Sequence, residues 1–319
     1  MAAFLLRRLV AAVPLVFGVM VLVWLLLEAL PGDYCDSLLS PDLDPRTIPA
    51  MRAALGCDAP AYGRFFAAMR GVLSLDFGTS VSFGRPVRDV VLDALPNTLL
   101  LSASALLAGQ AIGGTAGIVQ AVYHRRWPDT ALSLLTLAFW SVPIFWLALW
   151  LQLGFGWAFA TSGMRDPMSD EWAPWARTWD VLVHLVLPMT TLALAGAAGD
   201  SRLLRGSMVE ALHQDYVRTA RAKGVSEPSV VLRHALPNAV LPWIASLGLH
   251  LPALLSGSLI VENVFGWPGM GRVMAQALSQ GDAPLALGTF FGFTWVVALG
   301  GILTDAAAAL VDPRIRLER

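Results

Sequence analysis

The chain has 319 residues, of which 56% are hydrophobic and only 14% are charged. Soluble domains carry charge at roughly a quarter of their positions, so this chain lacks the polar surface that a water-soluble protein of its size needs. The formal net charge is −1, and the charged residues are unevenly placed along the chain. The composition excludes an ordinary soluble domain and predicts an integral membrane protein.

Six long stretches carry no charged residue. Each is about as long as the roughly 20 apolar residues that cross a ~30 Å hydrocarbon core. Backbone N–H and C=O groups have no water partner there, so each stretch is predicted to be helical. One such stretch could be a buried helix of a large soluble protein, but six in 319 residues leave too little chain to bury them. The stretches are Leu9–Leu27, Pro96–Val122, Ala131–Met164, Val181–Gly199, Ala235–Val261 and Ala283–Thr304.

The first stretch follows Arg7 and Arg8, as a signal peptide would, but its apolar run is longer than a typical signal-peptide core and no small-residue cleavage site ends it. We therefore predict a retained first span. The predicted organisation is an N-terminus and first span over residues 1–32, an extracytoplasmic cap over 33–95, and a core of five spans over 96–319. Pro143, Pro188 and Pro252 fall within spans and are expected to kink them.

Arginine and lysine placement predicts the orientation. With the N-terminus inside, the cytoplasmic segments hold thirteen such residues, whereas the two short external loops hold only Arg165, Arg177 and Arg272. This bias favours cytoplasmic N- and C-termini, because short loops rich in Lys and Arg stay inside. The thirteen are Arg7, Arg8, Arg125, Arg126, Arg202, Arg205, Arg218, Arg221, Lys223, Arg233, Arg314, Arg316 and Arg319.

The cap is predicted to contain an amphipathic helix near Tyr62–Val72 and a glycine turn at Phe77-Gly78-Thr79, without a core of its own. Cys35 and Cys57 both lie in it. A disulfide between them would add roughly 3 kcal/mol by closing a short loop, and the alternative is two free, buried thiols. Six tryptophans near span ends are expected at the membrane interfaces: Trp127, Trp157, Trp172, Trp175, Trp179 and Trp267.

The cytoplasmic loop at about 206–237 is the most informative segment. Its sequence predicts a helix that ends at Gly224, the usual residue after a helix C-terminus. Ser226 then offers an N-cap to a second short helix, which Pro237 ends before the fifth span. Apolar residues such as Val217 alternate with arginines and Lys223, which indicates an amphipathic pair of helices. One alternative is a surface helix that lies on anionic headgroups.

The loop sequence Arg218-Thr219-Ala220-x3-Gly224-x11-Leu236-Pro237 resembles the "EAA" signature of ABC importer permeases, with Arg218, Thr219 and His234 as departures from it. The form Tyr-Val-Arg-Thr-Ala-Arg-Ala-Lys-Gly is similar to that of dipeptide and oligopeptide permeases, and further motifs along the chain resemble the B-type subunit. These motifs include Ala29-Leu30-Pro31-Gly32-Asp33, Asp76-Phe77-Gly78-Thr79-Ser80, Ser141-Val142-Pro143-Ile144-Phe145-Trp146, Glu262-x-Val264-Phe265-Gly266-Trp267-Pro268-Gly269-Met270-Gly271 and Asp312-Pro313-Arg314-Ile315-Arg316.

The resemblance implies a six-span type I ABC importer permease in a bacterial or archaeal plasma membrane. It implies a second, C-type permease, two ATP-binding cassette ATPases that hold ATP and Mg, an extracytoplasmic solute-binding protein and membrane lipid as partners, with no nucleic acid. The solutes it implies are peptides, with nickel chelates, opines and glutathione-like compounds as alternatives. The loop would be the ATPase-coupling site. Its residues are Asp215, Tyr216, Arg218, Thr219, Ala220, Arg221, Ala222, Lys223, Gly224 and Ser226.

We expect shape to matter more than charge in this loop, with Ala220 and Ala222 allowing close approach of a partner and Gly224 supplying a left-handed turn. His250 in the fifth span is a candidate pore-lining residue, and the alternative is a neutral imidazole bonded to a neighbouring helix. Asp200 is taken to mark the cytoplasmic end of the fourth span. Glycines at 109, 113 and 117 have the small-xxx-small spacing that favours close helix packing over a ligand role.

No phosphate-binding loop of the G-x4-G-K-[ST] type occurs in the sequence, so ATP hydrolysis is expected in another polypeptide. The histidines are scattered and no metal-ligand or catalytic motif is present, which predicts a chain with no metal, cofactor or catalytic residues. A secondary transporter would be expected to show paired intramembrane carboxylates or an inverted repeat. We see neither, and that class remains the alternative from outside the ABC family.

Overall fold

The computed structural model describes residues 2–29, 46, 49, 50, 52 and 58–311, and gives the backbone alone at 2–4, 248–249, 251–256 and 307–311. The described chain is almost entirely helical. Its helices are α1 (Ala2–Ala29), α2 (Ala61–Ser74), α3 (Val87–Val122), α4 (Trp127–Ser141), α5 (Ile144–Phe155), α6 (Pro174–Leu212), α7 (Asp215–Ala222), α8 (Leu236–Val264), α9 (Met270–Ser279) and α10 (Ala283–Val311).

Five helices of the described chain are long and apolar enough to cross a membrane, and the bent pair α4 and α5 would make a sixth span. The pair begins at one end of α6 and leads to the other. The carboxylate of Asp129, in the first turn of α4, binds Arg205 near the C-terminal end of α6. After α5, the N–H of Asp166 donates to Asp180 near the start of α6. The pair therefore counts as one broken span, in agreement with six.

The break within this span is sharper than a proline kink. The axes of α4 and α5 differ by 107° across Val142 and Pro143. Pro143 has no N–H to continue the helical ladder, and the residue before a proline is pushed towards extended backbone. Val142 adopts that conformation, with φ −77° and ψ 129°. The predicted kink at Pro143 is confirmed in position, and its angle exceeds what proline alone requires.

Residues 99–267, with those from 300 onward, form one of two structural units. Its centre is the close packing of α3 on α6. A Cβ added at Gly113 would lie 2.7 Å from the backbone oxygen of Ala197, and one added at Gly117 would lie 2.7 Å from that of Ser201. A Cβ at Gly109 would meet Ala193 at 3.3 Å. The small-residue spacing thus serves helix packing, as predicted.

Residues 2–98 and 268–299 form the second unit. In it α2 lays its buried residues Met69 and Val72 against α1, so the amphipathic cap helix is confirmed and shares its core with a span. The glycine turn is confirmed too, since Gly78 has φ +80°. Helix α3 begins at Val87, nine residues before the predicted span. The absence of charge marks the membrane-embedded part of a helix, whereas α3 extends beyond it through charged turns.

The tryptophans separate into two groups. Trp127, Trp157, Trp175 and Trp179 are exposed by 65–85% and Trp172 by 38%, which fits the predicted interface positions. Trp267 is fully buried. It packs with Phe265 and residues of α3, α5 and α6, so its assignment to the interface was wrong.

Two predictions concern residues outside the described part of the chain. Cys35 and Cys57 are among them, so their disulfide stays a prediction. The terminal arginines Arg314, Arg316 and Arg319 also lie outside it.

Candidate functional site: the loop between α6 and α8

Residues 213–235, here called the elbow, join α6 to α8. The chain leaves α6 through a tight turn in which the N–H of Gln214 bonds the carbonyl of Ala211. Helix α7 follows, and a second helical segment begins at Glu227. The elbow is therefore the helix–turn–helix that the sequence predicts.

The bend of the elbow is a Schellman turn centred on Gly224. The N–H of Gly224 bonds the carbonyl of Arg221 at 2.9 Å, and that of Val225 bonds the carbonyl of Ala220 at 3.2 Å. This pair of bonds requires a left-handed residue, and Gly224 supplies it with φ +78°. A Cβ at Gly224 would meet no atom within 4 Å. Glycine is thus needed here for its backbone conformation and not for space.

The inner face of the elbow is buried within its own unit. Val217 is fully buried and Ala220 is 6% exposed, and both pack with Leu204 and Met208 of α6. Ala220 therefore cannot contact a partner, which corrects the expected role of that residue. Leu232, in the second helical segment, is 56% exposed.

The outer face of the elbow is solvent-exposed, and it contains nine of the ten predicted coupling residues. Arg221 donates to both carboxylate oxygens of Glu227, at 2.7 and 3.2 Å, which closes the bend from outside. The Glu227 carboxylate raises the pKa of the Arg221 guanidinium, so this cation stays charged at every pH that a cell reaches. The exposed predicted residues are Asp215, Tyr216, Arg218, Thr219, Arg221, Ala222, Lys223, Gly224 and Ser226.

The second helix of the elbow differs from its prediction. Ser226 occupies the N-cap position, but its side chain makes no capping bond. The segment does not end before the fifth span, because a π-helical stretch, Val230–Ala235, continues directly into α8. There the N–H of Leu236 bonds the carbonyl of Val231, five residues back. The wider turn lies just before Pro237, which has no N–H to continue the α-helical ladder.

A polar cluster lies between α3, α6 and α8. Asp200, only 2% exposed, has Oδ1 3.3 Å from Nε2 of His250 and accepts a 3.0 Å hydrogen bond from the amide nitrogen of Gln110 at Oδ2. Asp200 does not end its helix, since α6 continues to Leu212. A carboxylate within a span is costly, so the neighbouring polar groups offset the cost of its burial.

The glycines of α3 make room for this cluster. A Cβ at Gly113 would come within 2.7 Å of the Cβ of Asp200, and one at Gly114 within 3.1 Å of the ring of Trp243. His250 side-chain exposure is 22%. The structure thus gives His250 a partner on a neighbouring helix, and its role in lining the pore stays a prediction.

An ion pair fixes the helix before the elbow. Arg205 of α6 donates to both oxygens of Asp129, at 2.7 and 2.8 Å, and Asp129 is 4% exposed. The carboxylate also accepts from the N–H of Arg125 at 2.9 Å. This bidentate geometry is the strong form of an arginine–carboxylate bond. It holds the loop between α3 and α4 against the end of α6.

Sequence reasoning missed two sets of partners, first those of Asp200 and second that of Arg205. Gln110 was the signal for the first, because it is a polar residue in an otherwise apolar stretch. Asp129 was the signal for the second, since it follows a loop with two arginines. The described residues contain no group of three or more His, Cys, Asp or Glu that could hold a metal ion.

Two family models match the chain. The one described as the inner membrane component of a binding-protein-dependent transport system matches residues 113–317. The one for the N-terminal part of such a membrane component matches residues 1–102. Together they extend over nearly the whole sequence.

Relatives of known assignment align end to end with the chain. The glutathione transport system permease protein GsiC of Escherichia coli (strain K12) is 35% identical over 320 residues, which is 99% of both chains. GsiC of Shigella flexneri serotype 5b (strain 8401) has the same identity and coverage.

Solved structures show the same fold. An inward-facing form of the MetNI methionine ABC transporter, from a selenomethionine-soaked crystal, has a TM-score of 0.53 at 17% identity and covers 70% of this chain and 96% of its own. A native crystal form of MetNI has a TM-score of 0.51 at 18% identity, with the same coverage. The chain thus belongs to the binding-protein-dependent transport system inner membrane components, and it is a multi-pass permease subunit of an ABC importer.

Proposed function

We propose that this chain forms half of the translocation pore of an ATP-driven importer and receives force from its ATPases through the elbow. The observation that supports this role is the division of the elbow into two faces. Val217 and Ala220 fix its inner face to α6, while the outer face of α7 is exposed to solvent. A rigid element with one exposed face can transmit a force from a partner protein without being deformed.

The chain is proposed to contribute no catalysis of its own. ATP and Mg would be held by two ATPase subunits. The sequence of this chain contains no phosphate-binding loop of the G-x4-G-K-[ST] type. The complete importer would further include a second, homologous C-type permease and an extracytoplasmic solute-binding protein. Family membership supports the presence of an ATPase and of a binding protein. The number of each subunit in the complex is part of the proposal.

The elbow is proposed to lie in the cytoplasm, together with both chain termini. The elbow brings Arg218, Arg221 and Lys223 to the same end of the unit as the Arg205–Asp129 ion pair and the arginine-containing loop after α3. Positive residues in short loops favour the cytoplasmic side. The expected pore-lining role of His250 and the coupling role of the exposed elbow residues are parts of the same proposal.

The solute is proposed to be a small peptide, and a glutathione-like tripeptide is the first to test. The support is 35% identity over 99% of the chain to proteins named as glutathione transport permeases. Selection among solutes would lie mainly with the binding protein, which is a separate polypeptide.

The test is reconstitution of the complete complex in proteoliposomes. We expect uptake of labelled glutathione or a dipeptide that requires ATP and the binding protein, with a nickel chelate and an opine as comparison solutes. Uptake driven by an ion gradient in the absence of ATPases would show a secondary transporter instead. ATP-dependent uptake of the nickel chelate alone would keep the mechanism and change the solute.

A further inference from the structure

The break between α4 and α5 leaves backbone polar groups without partners. The N–H of Val142 bonds the carbonyl of Ala138 at the end of α4, and that of Leu147 bonds the carbonyl of Pro143 at the start of α5. Within the described residues no backbone hydrogen bond joins the two helices. Pro143 has no N–H, so the carbonyls that end α4 and the N–H groups that begin α5 are unpaired within this described segment. Ser141 and Pro143 are also exposed.

The break lies at membrane depth. Helix α4 has 15 residues and α5 has 12, which correspond to lengths of about 22 and 18 Å. Neither length crosses a ~30 Å hydrocarbon core alone. Exposed tryptophans stand at both ends of the pair, Trp127 at 80% and Trp157 at 85% exposure, and Pro143 lies midway between them in sequence. Tryptophan marks the two membrane interfaces, so the break falls between them.

Unpaired backbone groups in hydrocarbon cost several kcal/mol each, and non-helical backbone at this depth is tolerated only inside protein or beside water. The exposure of Ser141 and Pro143 excludes burial within this chain. Lipid is excluded by the cost, which leaves water or another subunit. The unpaired backbone groups include both donors and acceptors, and water can hydrogen-bond with both kinds.

We propose that Ser141, Val142 and Pro143 line the aqueous translocation pathway and offer backbone hydrogen bonds to a passing peptide. This inference rests on the proposed function, because a pathway exists only in the assembled importer. The other half of the span supports it. Leu147 and Ala148, one turn into α5, are buried, so α5 is held at its angle by packing on the rest of the unit. The break between α4 and α5 is therefore fixed by packing within the unit.

The test uses Ser141→Cys in the complete complex, with a membrane-impermeant cationic thiol reagent and a lipid-soluble maleimide as separate probes. Modification is read by peptide mass spectrometry at position 141, so Cys35 and Cys57 need not be removed. Leu134→Cys is the matched control, since Leu134 is 62% exposed on the helical part of the same α4. Val142→Cys replaces Ser141→Cys if the latter does not assemble.

We expect the impermeant reagent to modify position 141 and not 134, with modification at 141 decreasing when a transported peptide is present. Modification at 141 by the lipid-soluble maleimide alone would place the break in lipid and overturn the inference. Modification by neither reagent would place it against the second permease and overturn it as well. In either case, retained ATP-dependent uptake by the variant would show that the proposed function stands while this inference fails.

Discussion

The hydroxyl of Ser80 donates a 2.6 Å hydrogen bond to Oδ2 of Asp282, and both side chains are buried. The same carboxylate accepts from the N–H of Ser82 and caps the start of α10 through the N–H of Leu285. One acidic residue thus joins the turn before α3 to the beginning of α10.

We expect Ser80→Ala to destabilise the protein by about 2 kcal/mol, because it removes a hydrogen bond to a buried charge. The measurement is the thermal unfolding midpoint of the detergent-solubilised complex. Ser74→Ala is the control, since that hydroxyl is exposed and bonds only carbonyls of its own helix. Equal effects of the two substitutions would contradict the role given to Asp282.

Gly113→Ala is expected to cost about 2 kcal/mol, because its methyl group would overlap the backbone of α6. Gly196→Ala, where an added Cβ meets no atom within 4 Å, should be neutral or slightly stabilising, since alanine favours helix more than glycine does. Thermal unfolding of the two variants side by side gives the comparison. An unchanged unfolding midpoint for Gly113→Ala would contradict the close packing of α3 on α6.

Gly224→Val is expected to abolish uptake and to remove the stimulation of ATP hydrolysis by solute-loaded binding protein. A left-handed backbone costs a branched residue about 1–2 kcal/mol or more, so the elbow would change its bend. Gly224→Asn should retain most activity, because asparagine tolerates this conformation. Gly206→Val on the exposed side of α6 controls for added bulk. Normal stimulated hydrolysis in Gly224→Val would refute the coupling role of the turn.

His250→Gln is expected to destabilise the complex by about 2 kcal/mol, since it removes the imidazole that lies 3.3 Å from the buried carboxyl group of Asp200. Asp200→Asn should cost less, because its amide oxygen can still accept the hydrogen bond from Gln110. The double variant is expected to be more stable than the sum of the single effects predicts. Unfolding in detergent measures all three, with His213→Gln, at an exposed position, as the control. Additive effects would show that the two side chains do not interact.

The features that sequence reasoning predicted are those with local causes. The bend of the elbow follows from one glycine, the break in the third span from Pro143, and the contact of α3 with α6 from the spacing of three glycines. Each is decided by the backbone of a few residues. For that reason a single sequence was enough to place them.

The features that it missed depend on distant partners. Nothing local to Trp267 distinguishes it from the tryptophans at the interface, and its burial follows from helices more than 60 residues away. Asp200 likewise carries no local sign of its partners. Its partners Gln110 and His250 lie 90 and 50 positions away in the chain, and only the packing of three helices brings them together.

Helix α6 has 39 residues and is therefore about 58 Å long, nearly twice the thickness of the hydrocarbon core. Most of the excess follows Asp200 and leads to the elbow. A helix of that length extends beyond the membrane, so its last turns lie away from the lipid surface. In the proposed importer, the ATPase would then contact the elbow beyond the lipid headgroups, which would neither shield the elbow nor compete for it.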